Sequence, residues 1–381
     1  MEWKDVRLGD ILNFRRGHDL PHSAMKPGNI PVAGSNGVIG YHDTATPIKP
    51  ILTIGRSGNV GKPYFYEEAW AHNTTLYVDD FKGNDPKFLY YLCQTMPFAN
   101  FGGGSAVPTL NRNHIHPLET KIPVKVEDQR RIASILSSLD RKIELNNKIN
   151  ADLEEMAQAI FKNWFVDFEP FKDGKFVNSE LGMIPEGWKV GRLDEIADVV
   201  GGSTPSKAKP EYYTQKGIAW LTPKDLSNHP AVYSSRGEID ITEEGYNSTS
   251  TKLMPKGTVL FTSRAPIGYI SIAQNDICTN QGFKSLVPKK AGTCFLYCFL
   301  KYVTPEIENK STGSTFKEAS GALMKSLQVI IPEQKVFEDF ESIALPLFTR
   351  IESLEKESSH LSLLRDTLLP RLMSGEIEVP E

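Results

Sequence analysis

Two long segments of this chain place apolar residues at alternating spacings of three and four, and neither segment contains glycine. One segment spans residues 127–165 and the other spans residues 334–373. A period of 3.5 residues is typical of coiled-coil helices, and a stripe of this length is too long for one helix to bury alone. We therefore expect two helices of about 38 residues, each about 57 Å long at a rise of about 1.5 Å per residue.

The residues expected at the contact between these helices are apolar, apart from two asparagines at the middle of the first segment. They are Leu136, Leu139, Ile143, Asn146, Asn150, Leu153 and Ile160 in the first segment, and Leu347, Ile351, Leu354, Leu361 and Leu368 in the second. Polar residues at such positions lower stability but fix the register of the pair. We favour an antiparallel pair within the chain, and packing of each helix on a partner protein is the alternative.

The rest of the chain is built twice. Tryptophan, lysine, arginine, leucine and isoleucine of residues 3–11 recur in residues 188–196, at an offset of 185. Phe88-Leu89-Tyr90 recurs as Phe295-Leu296-Tyr297, and Ile122-Pro123 recurs as Ile331-Pro332 at an offset of 209. The growing offset indicates about two dozen additional residues in the second block. Short β-branched runs bounded by glycine and proline predict a mixed α/β structure with many turns in both blocks.

Charge is unevenly distributed between the blocks and the helices. The net charge is -4, but residues 1–125 and 186–332 carry excesses of +2 and +3, whereas residues 126–185 and 333–381 carry -3 and -6. Two basic blocks are compatible with a polyanionic partner, although helices rich in glutamate produce the same partition.

Composition narrows the class of protein further. The chain is 40% hydrophobic and 24% charged, which excludes wholesale disorder. The first residues lack the apolar region of a secretory signal, and no run approaches 18 apolar residues. The four cysteines form no CxxC pair, so we expect no zinc site. We expect a soluble, cytoplasmic protein with reduced, mostly buried thiols and no membrane association.

Catalytic motifs are incomplete wherever they begin. The segment 55–62 resembles a phosphate-binding loop, but Arg56 replaces a required glycine and Pro63 replaces the serine or threonine. Residues 101–105 lack the last glycine of a methyl-donor motif, and no Asn-Pro-Pro-aromatic sequence follows. His114 and His116 would face one side of a strand, where contact with solvent or phosphate is favoured over a zinc pair. We predict no catalytic residue and no bound metal or cofactor.

The chain resembles the specificity subunit of type I restriction–modification systems over essentially its whole length. The resemblance depends on residues 163–171 and 179–188, on 263–268 followed by 278–284, and on 364–379. It implies an α+β fold in which two mixed α/β target-recognition domains are joined by two long antiparallel coiled-coil helices, with a pseudo-twofold internal repeat. The expected domains are 1–125 and 188–332 for recognition, 126–166 for the central helix, 167–187 for a linker, and 333–381 for the C-terminal helix and tail.

The resemblance also implies a division of labour among subunits. Each recognition domain reads one half of a bipartite, asymmetric site in double-stranded DNA, and the helices set the gap between the halves. Two methyltransferase subunits dock on the helical regions and use S-adenosylmethionine to methylate adenine. Restriction subunits, which act as ATP- and Mg-dependent motors, cleave the DNA. A helix pair of about 57 Å is long enough to hold the two recognition domains about 34 Å apart, which is the length of one turn of DNA.

Polar, glycine-containing loops supply the candidate DNA contacts. In the first block, Arg56 and Arg112 are candidates for guanine, and Asn59, Asn73 and Asn113 for adenine. The remaining candidates in this block are Lys49 and Lys62 for phosphate, and Ser57 in the same loop. The candidates in the second block are Thr204, Ser206, Lys207, Arg264, Asn280, Gln281, Lys284, Thr315 and Lys317.

Other interpretations remain open at this point. Arg264 is the clearest case, since a motif shared across a family cannot by itself encode a variable specificity, and its guanidinium is equally suited to a structural hydrogen bond. For the whole chain, the alternatives are a specificity subunit whose partner fuses methyltransferase and nuclease, and a non-enzymatic coiled-coil scaffold. A stand-alone enzyme is disfavoured by the missing motifs.

Overall fold

In the computed structural model, which describes residues 1–103, 108–311 and 317–380, the chain forms two units that both combine helices with small sheets. The first unit comprises Met1–Glu144 and Ser359–Glu381, and the second comprises Leu145–Ser358. Both are mixed in secondary structure, as the duplicated sequence predicts. Candidates Thr315 and the segment 104–107 lie outside the described residues.

The first unit is organised around a four-stranded sheet in the order β2-β8-β5-β6, beside a three-stranded sheet β4-β3-β7. Its strands are β1 (Trp3–Arg7), β2 (Asn13–Arg16), β3 (Ile30–Gly34), β4 (Gly37–His42), β5 (Ile51–Gly55), β6 (Pro63–Tyr66), β7 (Trp70–Ala71), β8 (Thr75–Asp80), β9 (Gly102–Gly103), β10 (Thr109–Leu110) and β11 (Glu119–Pro123). Its short helices are α1 (Leu8–Ile11), α2 (Pro86–Thr95) and α3 (Arg112–Ile115).

The second unit is organised around a five-stranded sheet in the order β15-β23-β20-β21-β18. Its strands are β12 (Phe176–Ser179), β13 (Gly182–Pro185), β14 (Lys189–Arg192), β15 (Ala197–Gly201), β16 (Tyr213–Thr214), β17 (Trp220–Leu221), β18 (Tyr233–Ser234), β19 (Asp240–Ile241), β20 (Val259–Ser263), β21 (Ile267–Ala273), β22 (Cys278–Thr279), β23 (Lys284–Pro288) and β24 (Gln328–Ile331). Its shorter helices are α5 (Pro223–Asn228), α6 (Glu243–Asn247), α7 (Thr293–Lys310) and α8 (Gly321–Ser326).

The repeated sequence motifs correspond to equivalent positions in the two units. In the first unit, β1 pairs antiparallel with β11, with Trp3 opposite Pro123. In the second unit, β14 pairs antiparallel with β24, with Lys189 opposite Ile331. The strand that begins each block is therefore bonded to the strand that ends it. The repeated Phe-Leu-Tyr motif lies on α2 in one unit and on α7 in the other, and both phenylalanines are buried.

Two helices of 40 residues each, α4 (Val126–Phe165) and α9 (Gln334–Met373), contribute to both units. Within the second unit, Asn146 contacts Ser358, and further along α4 the ring of Phe165 stacks on that of Phe337. The partner's number falls as the α4 number rises, so the two segments run antiparallel there. Within the first unit, Arg365 Nη1 donates to Asp140 Oδ1 at 2.9 Å.

All twelve residues expected at the helix contact are buried or half-buried. At two of these positions, however, the aromatic neighbours Phe161 and Phe348 are more deeply buried than Ile160 and Leu347, and Phe165 is buried at the end of α4. A 3.6-residue helix drifts by about 20° per heptad relative to a 3.5-residue stripe, so the inward face moves to the next residue. The aromatic side chains then also fill the core of the adjacent domain.

The cysteine thiols of the chain lie in the cores. All four cysteines are unpaired and buried, and burial raises the pKa of the Cys278 thiol to about 11. Within the described ranges, no helix combines the length and the apolar character needed to cross a membrane.

Candidate nucleic-acid interface

The loop that follows β5 owes its shape to three glycines. Gly58 and Gly61 adopt φ angles of +85° and +83°, which side chains other than glycine rarely adopt. A Cβ at Gly55 would overlap the carbonyl oxygen of Asn59. Gly61 N–H donates to Gly55 C=O at 2.8 Å and closes the loop. The result is a compact turn that resembles a phosphate loop in composition but is built as a hairpin connection.

Four arginines converge on a cleft of about 460 Å³ beside this loop. Its lining residues are Arg15, Arg16, Arg56, Leu76, Thr109, Leu110, Asn111 and Arg112, with no carboxylate among them. Arg15 and Arg16 come from the end of β2, Arg56 follows β5, and Arg112 begins α3. A cleft lined by four cations is suited to a polyanion, because phosphate groups would offset the mutual repulsion of the guanidinium groups.

Two of the sequence candidates, Arg56 and Arg112, line this cleft. Arg112 Nη1 donates to the Phe14 carbonyl at 3.1 Å, and Arg56 Nη1 donates to the Asn73 carbonyl at 3.4 Å. Arg15 and Arg16 were not among the candidates. The signal that points to them is a pair of arginines at the end of a strand, which is an unusual place for two adjacent cations.

The remaining candidates of the first unit lie around the cleft or away from it. Ser57 forms a bridge to Thr109, a cleft residue, and the side-chain amide of Asn73 donates to Asp19. Asn113 is exposed on α3, Asn59 is in the glycine loop, and Lys62 lies 5.4 Å from the Tyr64 ring centre. Lys49 precedes β5, whereas Arg56 follows it, so the two lie at opposite ends of the strand. Lys49 pairs with Glu68, and its phosphate contact stays a prediction.

The expectation that His114 and His116 lie on a strand is wrong. The Asn111 side chain accepts a hydrogen bond from Asn113 N–H at 3.0 Å and caps the one-turn helix α3, which contains His114 and ends at Ile115, just before His116. His116 Nε2 accepts from Phe14 N–H at 3.1 Å, and burial lowers the pKa of this imidazole. His116 therefore acts as a structural hydrogen-bond acceptor for the backbone of β2.

The second unit has a cleft of about 630 Å³ that brings together five of its sequence candidates. Those five are Thr204, Lys207, Arg264, Asn280 and Gln281. Its other lining residues are Tyr213, Trp220, Thr222, Pro223, Lys224, Asp225, Glu238, Ile239, Ala265 and Gly282. Lys207, Lys224 and Arg264 are accompanied here by the carboxylates of Asp225 and Glu238. This cleft is therefore larger and much less positive than the first.

Close contact between two loops builds this second cleft. A Cβ at Gly202 would overlap the Asn280 carbonyl, so only glycine permits the approach. The Thr204 hydroxyl contacts Gln281 Oε1, and Asn280 Oδ1 accepts from Gly282 N–H at 2.8 Å. Trp220 is buried, and its indole N–H donates to the Ser203 carbonyl at 3.1 Å, as expected of a core side chain that supports the loop.

Two basic candidates of the second unit share one carboxylate. Arg264 Nη1 lies 3.4 Å from Glu318 Oε2, and Lys284 Nζ lies 3.5 Å from Glu318 Oε1. The Lys284 side chain is only 17% exposed. Lys317 Nζ donates to the Glu308 carbonyl at 3.3 Å, and Ser206 is exposed on the loop that contributes Thr204 and Lys207. Arg264 therefore forms the ion pair that the structural interpretation of its motif anticipates, while it also lines the cleft.

Polar groups interrupt the contact between α4 and α9 in the second unit. Asn146 is fully buried, and its Nδ2 donates to Glu357 at 2.9 Å and to Ser358 Oγ at 3.2 Å. Glu355 accepts from the backbone N–H groups of Val232 and Tyr233 at 2.7 and 3.0 Å, and burial raises its pKa to about 7. These contacts tie α9 to the edge strand β18 and its neighbouring loop.

Each unit also ties its packing helix to α4 through a tyrosine. The Tyr91 hydroxyl on α2 donates to Asp140 at 2.5 Å in the first unit. The Tyr297 hydroxyl on α7 donates to Glu154 at 2.5 Å in the second. Burial raises the pKa of both phenols. Within the described residues, no group of three or more histidine, cysteine, aspartate or glutamate side chains is arranged to hold a metal.

Known proteins share both the sequence and the fold of this chain. It is 38% identical over 190 residues to the MjaIX type I restriction enzyme specificity subunit of Methanocaldococcus jannaschii, an alignment that covers 49% of this chain and 44% of that protein. It is 26% identical to the HindI specificity subunit of Haemophilus influenzae, with 98% of this chain and 94% of that protein aligned. The crystal structure of a type I restriction–modification S subunit from M. genitalium matches with a TM-score of 0.64 at 18% identity, covering 98% of this chain and 96% of that one.

The family match falls on both blocks of the duplicated chain. Residues 1–155 and 185–342 each match the type I restriction modification DNA specificity domain. The predicted resemblance is thus confirmed, and so is the presence of two such domains. This chain belongs to the type I restriction–modification DNA specificity family, whose members supply DNA-sequence specificity.

Proposed function

We propose that this chain reads a bipartite, asymmetric DNA site, with one half-site bound by each unit. The observation that carries this proposal is the presence of a polar cleft with several cations in each unit. The two units also share the pairing of their first and last strands. The clefts differ in the number of arginines, four against one, and in the carboxylates and lysines that line only the second, which supports two halves that differ in sequence. Two different clefts on a duplicated fold imply a DNA site whose two halves are not identical.

The two long helices are proposed to act as the spacer between the half-sites. An antiparallel pair of 40-residue helices, about 60 Å long, would relate the two domains by a pseudo-twofold axis and exceed the roughly 34 Å that separates half-sites one turn apart. Asn146 and Ser358 would fix its register, as polar residues do in coiled coils. The acidic excess of both helical segments would keep them away from the DNA backbone.

The chemistry of the system is proposed to reside in partner subunits. Two methyltransferase subunits would dock on the helical regions, bind S-adenosylmethionine and methylate adenine. Restriction subunits would use ATP and Mg to translocate and cleave DNA. This chain then acts as a targeting subunit, with no catalytic residue, metal or cofactor of its own.

Two alternatives make different predictions. In a related system, the partner fuses methyltransferase and nuclease in one chain, and a single co-purified protein would then supply both activities. A coiled-coil scaffold would bind DNA without sequence preference. The arginine-lined cleft argues against the scaffold, because an interaction surface for protein does not require four cations without a lining carboxylate.

The decisive experiment is to co-express the chain with its methyltransferase subunit in a host that lacks adenine methylation, and to sequence the methylated genome at single-molecule resolution. We expect a two-part motif with a fixed gap. Replacing residues 1–125 with those of another family member should change one half of the motif and leave the other unchanged. An assembled complex that methylates no defined motif would contradict the proposal, and so would a change in both halves.

A further inference from the structure

The four arginines of the first cleft form two pairs, which differ in the group that each guanidinium contacts. Arg56 and Arg112 each donate through Nη1 to a backbone carbonyl. Arg15 and Arg16 instead lie 3.4 Å from the carboxylates of Asp79 and Asp19. A carbonyl fixes a guanidinium without neutralising it, whereas a carboxylate offsets its charge. The pairs therefore differ in available charge, and the 3.1 Å contact of Arg112 is shorter than the 3.4 Å contacts of the other three.

Arg56 and Arg112 are positioned by the backbone around them. Arg56 N–H donates to Thr74 C=O at 2.8 Å, and Leu110 N–H donates to Arg56 C=O at 2.8 Å, so the residue is bonded on both sides. Arg112 is the first residue of α3, whose capping side chain is Asn111. A guanidinium has five N–H donors, and one carbonyl contact leaves enough for a two-pronged contact. Guanine presents O6 and N7 as two adjacent acceptors in the major groove, which this fork matches.

Arg15 and Arg16 have the properties of phosphate-binding residues. Their side chains are 63% and 56% exposed, and each is held by one long ion-pair contact. Surface pairs of this kind are weak, because solvent screens the charges and the long side chains lose entropy. A backbone phosphate can therefore replace the carboxylate at little cost. A phosphate contact requires charge and reach but no fixed direction.

We propose that Arg56 and Arg112 read guanine in the half-site of the first unit, and that Arg15 and Arg16 hold the flanking phosphates. The proposal rests on the proposed function and names the base class that the first cleft selects. The second cleft differs, since Arg264 shares Glu318 with Lys284 and the neighbouring groups are the amides of Asn280 and Gln281. Guanine selection by paired arginines is thus a property of the first half-site.

The test uses the assembled complex with its methyltransferase subunits and a set of DNA duplexes that vary one base at a time within the methylated motif. Each of the four arginines is changed to lysine, which keeps the charge but loses the fork, and to glutamine, which loses both. For R56K and R112K we expect the preference for guanine at one position to fall about 10- to 100-fold, with the salt dependence of binding unchanged. For R15Q and R16Q we expect weaker binding to every duplex and a salt slope that falls by about 1, while R15K and R16K bind as wild type.

Several outcomes would overturn the assignment. One is that R56K and R112K both retain full discrimination. Another is that R56Q and R112Q weaken all duplexes equally and reduce the salt slope. A wild-type motif with no guanine in the half altered by exchange of residues 1–125 would also refute it, while the proposed bipartite function would stand. If no fixed motif is found at all, the proposed function itself fails.

Discussion

The two units share a frame but present different surfaces to a ligand. In both, the first strand of the block pairs with the last, and a tyrosine on the packing helix donates to a carboxylate on α4. Among the described residues that line it, the cleft of the first unit has four arginines and no carboxylate. The cleft of the second has three cations, two carboxylates and several neutral polar groups. The shared strand pairs and helices therefore determine the position of the DNA-contacting surface in each unit. The loops determine which bases that surface recognises.

The tyrosine contacts show that even the frame has diverged in charge. Asp140, the acceptor of Tyr91, is also paired with Arg365 from α9 at 2.9 Å. Glu154, the acceptor of Tyr297, is instead paired with Lys301 from α7 itself. The first unit therefore joins three helices through one carboxylate, whereas Glu154 in the second unit joins only α7 to α4. There α9 is held by aromatic packing and by separate polar contacts, including those of Glu341 with the first residues of α7.

The largest effect is expected from removing that aromatic packing. Phe165 is 5% exposed, and its ring centre lies 4.8 Å from that of Phe295 and 5.1 Å from that of Phe340. F165A should lower the free energy of unfolding by about 3–5 kcal/mol, because the cavity it leaves cannot collapse fully. Urea denaturation would measure the loss. M156A, at an exposed position on the same helix, should change stability by less than about 0.5 kcal/mol. A loss below about 1 kcal/mol for F165A would remove the distinction between the units.

The polar contacts between α4 and α9 offer a sharper comparison. N146A should lower the free energy of unfolding by about 1–2 kcal/mol, because it leaves the buried Ser358 hydroxyl without this donor. A double-mutant cycle with S358A should give a coupling of about 0.5–1.5 kcal/mol that added salt does not change. The coupling between Asp140 and Arg365 in the first unit should fall with salt, because it is an ion pair. Equal salt responses would contradict this difference, and N147A, at an exposed neighbour, is the control.

A smaller effect is expected from the pH dependence of the second unit. The pKa of Glu355 is raised from its usual value near 4.5 to about 7, chiefly by burial and further by the nearby carboxylates of Glu154 and Glu352. The folded chain therefore binds this proton more tightly than the unfolded chain. Its contribution to stability is full below about pH 4.5 and is lost as the pH rises through about 7.

The substitution E355Q should remove that pH dependence. Glutamine still accepts a hydrogen bond from the backbone of Val232 or Tyr233 but carries no charge. We expect E355Q to be about 1 kcal/mol more stable than wild type at pH 8 and nearly equal to it at pH 5, as measured by urea denaturation at both values. A stabilisation that is larger at pH 5 than at pH 8 would show that the sign is wrong.

The smallest effect is expected at Lys49. Lys49 is a phosphate candidate by its sequence context, but it lies at the opposite end of β5 from Arg56 and pairs with Glu68. K49A should leave the DNA affinity of the complex within about twofold of wild type and its salt slope unchanged, in contrast to R15Q. The DNA affinity of the K49A complex, measured at several salt concentrations, would test this expectation. A slope that falls by about 1 would restore Lys49 to the interface.

Periodicity and repetition predict the frame because each has a direct physical meaning. The 3.5-residue stripe indicates paired helices, and α4 ends within one residue of the expected boundary. The recurrence of Trp3 and Ile122 at Trp188 and Ile331 marks the strand pairs that close each block. The family prediction, which depends on motifs in five stretches of the chain, is confirmed by the match over both blocks.

Tertiary approach explains what the sequence could not predict. Arg15 and Arg16 are more than 90 residues from Arg112, and the contacts of Phe14 with Arg112 and His116 bring them to one cleft. His114 lies on a helix, and His116 directly follows it, because Asn111 caps that helix, a local contact that outweighs the alternating pattern. The predicted helix contact does not include Phe161 and Phe165, because these residues face a domain core as well as α9.

The pairing of β1 with β11, and of β14 with β24, has a consequence for the history of such chains. Because the two ends of each block are hydrogen-bonded neighbours, the chain leaves a block beside the place where it entered. Segments between the ends can then lengthen without displacing the helix that follows, and the second block contains about two dozen more residues than the first. Recombination at these strand pairs would exchange a whole recognition domain in a single event. A new DNA target sequence could then arise without the slow accumulation of point mutations.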